Sequence, residues 1–119
     1  MKRSKLPDIV ETLMVFHNCW LVGSGAEWFM AENDDMQKPS DWDLISEQNE
    51  FAAATKRVDQ IAQSVCINSM GGLKFRTGEC WIDIWTDTMA GYTKIAEKTR
   101  EGTIRAVRLN PRIELKDLS

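Results

Sequence analysis

The sequence predicts one α/β (α+β) domain, in which helices pack on a small mixed β-sheet. The 119 residues are the size of one ordinary domain, so residues 1–119 are treated as a single unit. A hydrophobic share of 43%, with five tryptophans, is enough for a core in a chain of this length. Short apolar runs alternate with segments of helical spacing in the order α-β-α-β-α-β-β-α-β, which indicates a mixed sheet with packed helices.

The first third of the chain predicts a helix, a strand and a second helix. Residues 6–20 open with Leu-Pro-Asp and carry apolar side chains at three- or four-residue steps, as a helix does. The apolar run of residues 19–22 is typical of a buried strand, and it ends at the glycine-rich turn of residues 23–25. A short helix over residues 26–31 is expected to start directly from this turn. Polar residues 32–40 then form a loop.

The remaining two thirds predict four more strands and two more helices. Residues 41–45 alternate charged and apolar side chains, which is the period of a strand. Residues 47–65 have helical spacing. Residues 73–76 and 80–85 indicate two strands of a hairpin joined at Thr-Gly-Glu. The last expected elements are a helix over 88–98 and a strand over 103–109, followed by a loose tail.

Charge and cysteine usage narrow the class of protein. A formal net charge of −3 argues against a dedicated nucleic-acid coat or a membrane-surface protein. Cys19, Cys66 and Cys80 are odd in number and form no CxxC pair, which favours a reducing compartment. His17 and Cys19 lack a second pair at zinc spacing, so both are expected in the core. No apolar signal or membrane-length stretch is found, so we expect a soluble, cytoplasmic protein.

The turn at Gly23 and Ser24 has the chemistry of a phosphate-binding loop. A strand that runs through Gly-Ser straight into a helix gathers unpaired backbone N–H groups at the positive end of the helix dipole. Gly23 lets a ligand approach the backbone closely, and Ser24 offers a hydroxyl to a phosphate oxygen. The alternative is that Gly-Ser is simply a helix cap.

Asp41 and Asp43 are expected to stand side by side. Residues i and i+2 of a strand project from one face, so the two carboxylates share a face while Trp42 and Leu44 point into the core. Two like charges at this separation repel each other unless a cation lies between them. Mg²⁺ or Mn²⁺ bound by carboxylates and phosphate oxygens would remove the repulsion. The alternative is an exposed edge with two solvated aspartates.

Asp83 is embedded in a strand of large apolar residues. It shares a face with Trp81 and Trp85, where an unpaired charge is expensive to bury. An aspartate in this setting requires a metal ion, an arginine or a proton. Arg76 on the partner strand of the hairpin is the candidate for a purely structural ion pair.

Three motifs in order carry a resemblance to a known family: Leu21-Val22-Gly23-Ser24, then Ser40-Asp41-Trp42-Asp43-Leu44, then Ile82-Asp83-Ile84. This pattern resembles the DNA polymerase β-like nucleotidyltransferase superfamily. It is most similar to the minimal nucleotidyltransferases related to the antitoxin and kanamycin-nucleotidyltransferase groups, over about residues 19–86. The resemblance implies a nucleotidyltransferase fold. It also implies transfer of a nucleoside monophosphate from a nucleoside triphosphate to an acceptor hydroxyl.

The resemblance also implies roles for single residues. Gly23 and Ser24 would hold the β- and γ-phosphates. Asp41 and Asp43 would bind two divalent ions, Mg²⁺ or Mn²⁺. Asp83 would share one of these ions and help to activate the acceptor hydroxyl, in a displacement that positioning and charge neutralisation accelerate.

The sequence departs from the family pattern in two places. Small members carry a basic residue just after Gly-Ser, where this chain has Gly-Ala-Glu over residues 25–27. The cationic partners of the triphosphate are therefore expected elsewhere, at Lys74, Arg76 or Lys94. The segment between the first two motifs is also long, with an acidic insert over residues 32–35.

Other functions stay open from the sequence. The chain could be a catalytically inactive module of the same fold that binds a nucleotide or a partner protein. A homodimer or a helical partner protein could complete the cleft, since no second domain grips the base and acceptor. The basic segment of residues 105–112 could seat an RNA acceptor. The tryptophans are expected mainly as core or cleft-wall residues, with base stacking as the alternative.

Overall fold

A seven-stranded mixed sheet, in the order β3-β4-β5-β2-β1-β6-β7, organises the part of the chain that the structure describes. The structure is a computed structural model that describes residues 6–31, 37–68 and 71–86 in full, and residues 106–109 and 112–114 by their backbone. The strands are β1 (Trp20–Val22), β2 (Asp41–Ser46), β3 (Ser64–Ile67), β4 (Leu73–Arg76), β5 (Trp81–Thr86), β6 (Ala106–Leu109) and β7 (Arg112–Glu114).

Strands β2 and β5 are the one parallel pair among these strands, and every other neighbouring pair is antiparallel. This pair lies near the middle of the sheet, so its side chains have neighbours on both sides. The prediction of a small mixed sheet with packed helices is confirmed.

Three helices are described: α1 (Asp8–Phe16), α2 (Gly23–Met30) and α3 (Phe51–Asp59), the last preceded by a 3₁₀ turn over Gln48–Glu50. Pro7 stands just before α1, where its fixed φ suits a helix start and its missing N–H loses nothing. Its carbonyl accepts a hydrogen bond from the Glu11 amide at 3.1 Å. None of the described helices combines the length and the apolar character that crossing a membrane requires.

Strand alternation gives the sheet two different faces. The side chains that pack against the helices are almost fully buried and form the core with apolar residues of α1, α2 and α3; on the strands they are Leu21, Trp42, Leu44, Phe75, Ile82 and Ile84. Helix α2 lies close to β2: a Cβ added to Gly25 would lie 2.8 Å from Cε3 of Trp42, so glycine at this position allows the approach. The opposite face of β2 and β5 carries Asp41, Asp43 and Asp83. We call this second face the carboxylate face.

The structure corrects two predicted elements. The helix expected over residues 47–65 ends at Asp59, and Ser64–Ile67 forms β3 instead. All four residues of β3 are exposed, and β3 is the outermost described strand on its side of the sheet. Alternation of buried and exposed side chains, the sequence signal of a strand, is therefore missing there. The expected loose tail contains the strand Arg112–Glu114, while the helix expected over residues 88–98 lies outside the described residues.

Candidate functional site

Two of the three predicted carboxylates are direct neighbours across the parallel strand pair. Asp43 of β2 is in register with Asp83 of β5, and Asp41 is in register with Trp81. Paired strands run about 4.8 Å apart, so register partners on one face meet. Asp83 is buried, with 6% of its surface exposed, Asp43 is half-buried and Asp41 is exposed. The carboxylate face therefore carries acidic groups from the surface at Asp41 to the interior at Asp83.

The environment of Asp43 opposes its ionisation. Burial, followed by the neighbouring charge of Asp83, raises the pKa of Asp43 from 3.8 to about 6. Asp41 acts in the same direction, and the ammonium of Lys74 acts in the opposite one. Such a carboxylate binds a proton or a metal ion more readily than a solvated aspartate does, because either one removes an unfavourable charge.

The glycine turn lies against this carboxylate. Val22 pairs with Asp43, and α2 begins at the next residue, Gly23. Gly23 has a φ of +69°, and a Cβ at this position would stand 3.0 Å from Oδ2 of Asp43. Glycine is therefore required both by the backbone conformation and by the approach of the carboxylate.

The start of α2 retains free hydrogen-bonding capacity. Val22 occupies the N-cap position, and no side chain caps the helix there. Ser24 lies exposed in the first turn rather than at the cap. The reading of Gly23-Ser24 as an ordinary side-chain cap is therefore wrong. Backbone amides at the start of a helix, together with the exposed Ser24 hydroxyl, are groups of the kind that bind an anion, and here they lie beside Asp43.

Both oxygens of Asp83 already have donors. Nζ of Lys74 lies 3.0 Å from Oδ2, and Nδ2 of Asn68 donates to Oδ1 at 3.1 Å. Lys74 is the cross-strand partner of Asp83 in the β4–β5 hairpin. Its hydrogen bond with Asp83 is the largest of the influences that raise the pKa of Lys74.

The alternative in which Arg76 forms an ion pair with Asp83 is not what the structure shows, because Lys74 forms that pair. Arg76 is in register with Trp81, and its guanidinium carbon lies 5.5 Å from the centroid of that ring. Lys74 Nζ lies 5.3 Å from the same centroid. Both cations thus stand on the carboxylate face, as the prediction of phosphate partners requires, but only Lys74 contacts Asp83. Lys94, the third expected partner, lies outside the described residues.

Asn68 was missed by the sequence analysis. It directly follows β3 and precedes Gly71 and Gly72, and such Asn and Gly clusters signal a turn but say nothing about a contact with Asp83. Its contact with Asp83 depends on β3 being a strand, which the helical spacing of the preceding residues concealed.

The residues present suit a divalent cation by their chemistry. Carboxylate oxygens are the ligands that Mg²⁺ and Mn²⁺ prefer, and Asp43 is a half-buried carboxylate that a cation would relieve of repulsion. Within residues 6–31, 37–68 and 71–86, no three His, Cys, Asp or Glu side chains already form a group that could hold a metal ion. Lys74 supplies the positive charge beside Asp83 instead. The metal-ligand roles of Asp41, Asp43 and Asp83 stay predictions.

The other residues that the sequence singled out, His17, Cys19 and Trp28, are buried in the protein. His17 is buried between two charged side chains: its Nδ1 lies 3.2 Å from Oε2 of Glu50, and its Nε2 accepts from Nε of Arg57 at 2.9 Å. Cys19 is buried, and all three cysteines are free thiols. The prediction of His17 and Cys19 as core residues is confirmed. Trp28 is buried too, so it serves the core.

Comparison with known proteins bears on the fold. No protein-family model and no curated protein matches the chain. A solved structure of a CCA-adding enzyme in complex with CTP is similar over 92% of this chain, with a TM-score of 0.55 and 18% sequence identity. This chain spans 29% of that enzyme's chain. The protein thus has a small α+β nucleotidyltransferase-like fold.

Proposed function

We propose that this protein is a metal-dependent nucleotidyltransferase that moves a nucleoside monophosphate from a nucleoside triphosphate to an acceptor hydroxyl. The observation that carries the proposal is the meeting of three motifs at one place. Asp43 has Asp83 beside it in register, and Gly23 approaches its Oδ2 so closely that a Cβ would lie 3.0 Å away. An anion-binding turn and paired carboxylates together suit a triphosphate that arrives with divalent metal.

Each residue has a distinct task in this proposal. The amides at the start of α2 and the Ser24 hydroxyl bind the terminal phosphates. Asp41 and Asp43 would hold the divalent ions, and Asp83 would share one of them and help to activate the acceptor hydroxyl. Mg²⁺ or Mn²⁺, when bound, supplies charge neutralisation for the attacking and leaving oxygens.

Lys74 and Arg76 are the described cations that we assign to phosphate oxygens. Both stand over Trp81, beside the acidic groups. Lys74 is tied to Asp83, so binding phosphate requires it to change partner, whereas Arg76 is exposed and contacts the ring. The acceptor bond to phosphorus forms as the bond to pyrophosphate breaks. Alignment of these groups supplies most of the rate.

Labelled nucleotide transfer tests the proposal. The protein is incubated with each of four radiolabelled nucleoside triphosphates, Mg²⁺ or Mn²⁺, and a cell extract that supplies protein, RNA and small-molecule acceptors. We expect a labelled product with at least one nucleotide. Asp43→Asn should abolish it, whereas Asp59→Asn, the same change at an exposed position in α3, should leave it intact. Absence of transfer with all four nucleotides would contradict the proposal.

The ion pair between Lys74 and Asp83 favours a second candidate function. Asp83 already has a cation, so the fold is complete without metal and could serve as an inactive module that binds a nucleotide or a partner protein. Calorimetry separates the two functions. Triphosphate binding without turnover, or no binding of triphosphate at all, would favour the inactive module.

The proposal extends to the partners of the protein. We propose that a homodimer or a helical partner protein completes the cleft for the base and the acceptor. An RNA acceptor is proposed alongside protein and small-molecule acceptors, and the cytoplasm is the proposed compartment. Sedimentation showing only a monomer would contradict the homodimer, and salt-sensitive gel shifts would reveal RNA binding.

A further inference from the structure

We infer that Asn68 is a positioning residue for Asp83 and sets the orientation in which this carboxylate receives metal. The inference rests on the proposed function, in which Asp83 shares a divalent ion. The observation that supports it is a series of hydrogen bonds that runs from the backbone of Gly72 through the Asn68 side chain to the buried carboxylate of Asp83. Nδ2 of Asn68 donates to Oδ1 of Asp83 at 3.1 Å.

The side chain of Asn68 is held at both of its polar atoms. While Nδ2 donates to Asp83, Oδ1 accepts from the amide of Gly72 at 2.8 Å. The backbone amide of Asn68 also donates to the carbonyl of Gly72 at 2.9 Å, and that of Gly71 donates to the Asn68 carbonyl at 3.1 Å. These bonds assign the amide orientation, since the opposite orientation would place two donors together and two acceptors together.

Gly72, whose amide binds the Asn68 side chain, lies against β5. A Cβ on Gly72 would clash with the carbonyl oxygen of Ile84 and would lie 2.7 Å from Cδ1 of Trp85. Glycine therefore allows the backbone at residue 72 to lie directly on the strand that carries Asp83. A side chain that is bonded to this backbone can hold the carboxylate with little freedom of its own.

Asn68 and Lys74 bind different oxygens of Asp83, and a divalent ion bound at Asp83 would affect the two side chains differently. Lys74 is a cation, so a divalent ion at Asp83 repels it. Asn68 is neutral and bonds Oδ1, while each carboxylate oxygen has a second lone pair for a metal. The amide bond can therefore persist when Lys74 leaves, and it then determines which lone pairs face the ion.

The test is the affinity of the full chain for Mn²⁺ without nucleotide, measured by electron paramagnetic resonance. Asn68→Ala should weaken Mn²⁺ binding by about 10-fold, which is typical when a partner of a metal ligand is lost. Gly71→Ala is the matched control. It strains the same turn at a φ of +85°, meets no atom within 4 Å, and leaves the Asn68 amide in place, so it should change affinity by less than about 2-fold.

A double-mutant cycle separates positioning from a general effect on stability. In an Asp83→Asn background, Asn68→Ala should change Mn²⁺ affinity by less than about 2-fold, because its effect passes through Asp83. Circular dichroism confirms that each variant is folded. Should the alanine variant fail to fold, Asn68→Ser, which keeps a turn-forming oxygen but is too short to reach Asp83, should give the same loss of affinity.

The possible outcomes show whether the positioning role of Asn68, the proposed function, or both are wrong. Unchanged affinity in Asn68→Ala, an equal loss in Gly71→Ala, or an equal loss in the Asp83→Asn background overturns the positioning role alone. Affinity that depends on Asn68 in a protein that transfers no nucleotide overturns the proposed function and leaves the inference standing. Absence of Mn²⁺ binding by the unsubstituted protein overturns the inference together with the metal dependence.

Discussion

Replacing Asp43 by asparagine should stabilise the fold while it abolishes the proposed activity. Burial and the charges of Asp83 and Asp41 raise the pKa of Asp43 from 3.8 to about 6. The folded protein thus holds this proton more tightly than the unfolded chain does. Above about pH 6, Asp43 is ionised in both states, and its charge is less favourable in the folded protein, so the free energy of unfolding is lowered. Below about pH 4, Asp43 is mostly protonated in both states, and this loss of stability disappears.

The size of the effect follows from the same difference in pKa. The change from 3.8 to about 6 corresponds to about 3 kcal/mol for a fully buried group. Because Asp43 is only half-buried, solvent screening reduces this to about 1–2 kcal/mol. Asparagine has nearly the same shape and no charge. Asp43→Asn should therefore be about 1–2 kcal/mol more stable than the unsubstituted protein at pH 7.5, and equally stable at pH 4.

Urea unfolding followed by tryptophan fluorescence measures the difference, with EDTA present to remove metal. With a typical dependence of about 1–3 kcal/mol per molar urea, the midpoint at pH 7.5 should rise by roughly 1 M. Asp59→Asn, at an exposed position, should stay within about 0.5 kcal/mol at both pH values. A destabilised Asp43→Asn variant at pH 7.5, or a gain of equal size at both pH values, would refute the reasoning.

Three further substitutions test the ion pair and the packing of α2 on β2. In urea unfolding, Lys74→Met should lower the free energy of unfolding by about 1.5–3 kcal/mol, because Asp83 loses a charged hydrogen-bond donor. Arg76→Met loses only a contact with the Trp81 ring, so it should lower the free energy of unfolding by less than about 1 kcal/mol. Equal losses would contradict the assigned ion pair. Gly25→Ala should lower the midpoint of thermal unfolding and reduce the free energy of unfolding by about 1–3 kcal/mol, because the added Cβ would lie 2.8 Å from Trp42. An unchanged midpoint would contradict the close approach of α2 to β2.

The sequence was informative where one face of a strand is buried. Alternation in residues 41–45 and 81–85 correctly predicted which side chains enter the core, because Trp42 and Ile82 are fully buried while Asp41 is exposed. The same alternation put Asp43 and Asp83 on the other face. That the two strands are parallel neighbours in register could not be predicted, because it depends on how the whole sheet is assembled.

The cross-strand neighbour of Asp83 could not be predicted, because the hairpin register depends on one residue in its loop. The loop was expected over residues 77–79, but Cys80 belongs to it: the Thr77 amide donates to the Cys80 carbonyl at 2.9 Å, and the Cys80 amide donates to the Thr77 hydroxyl at 3.0 Å. With the expected loop, Leu73 would stand opposite Asp83 and Arg76 opposite Cys80. With the longer loop, Lys74 stands opposite Asp83 and Arg76 opposite Trp81. No periodic pattern in the strands reports the length of a loop.

The parallel pairing of β2 with β5 also has a consequence for how the protein folds. Strands β3, β4 and β5 follow one another as hairpins, so they can associate through contacts between residues close in the chain. Asp43 and Asp83 meet only after β2 joins β5, which closes a long loop and loses more chain entropy. Any folding intermediate that contains only the β3–β5 hairpins would hold Lys74 beside Asp83 before Asp43 arrives. The ion pair would then serve early in folding, as the counter-charge for an aspartate that is being buried.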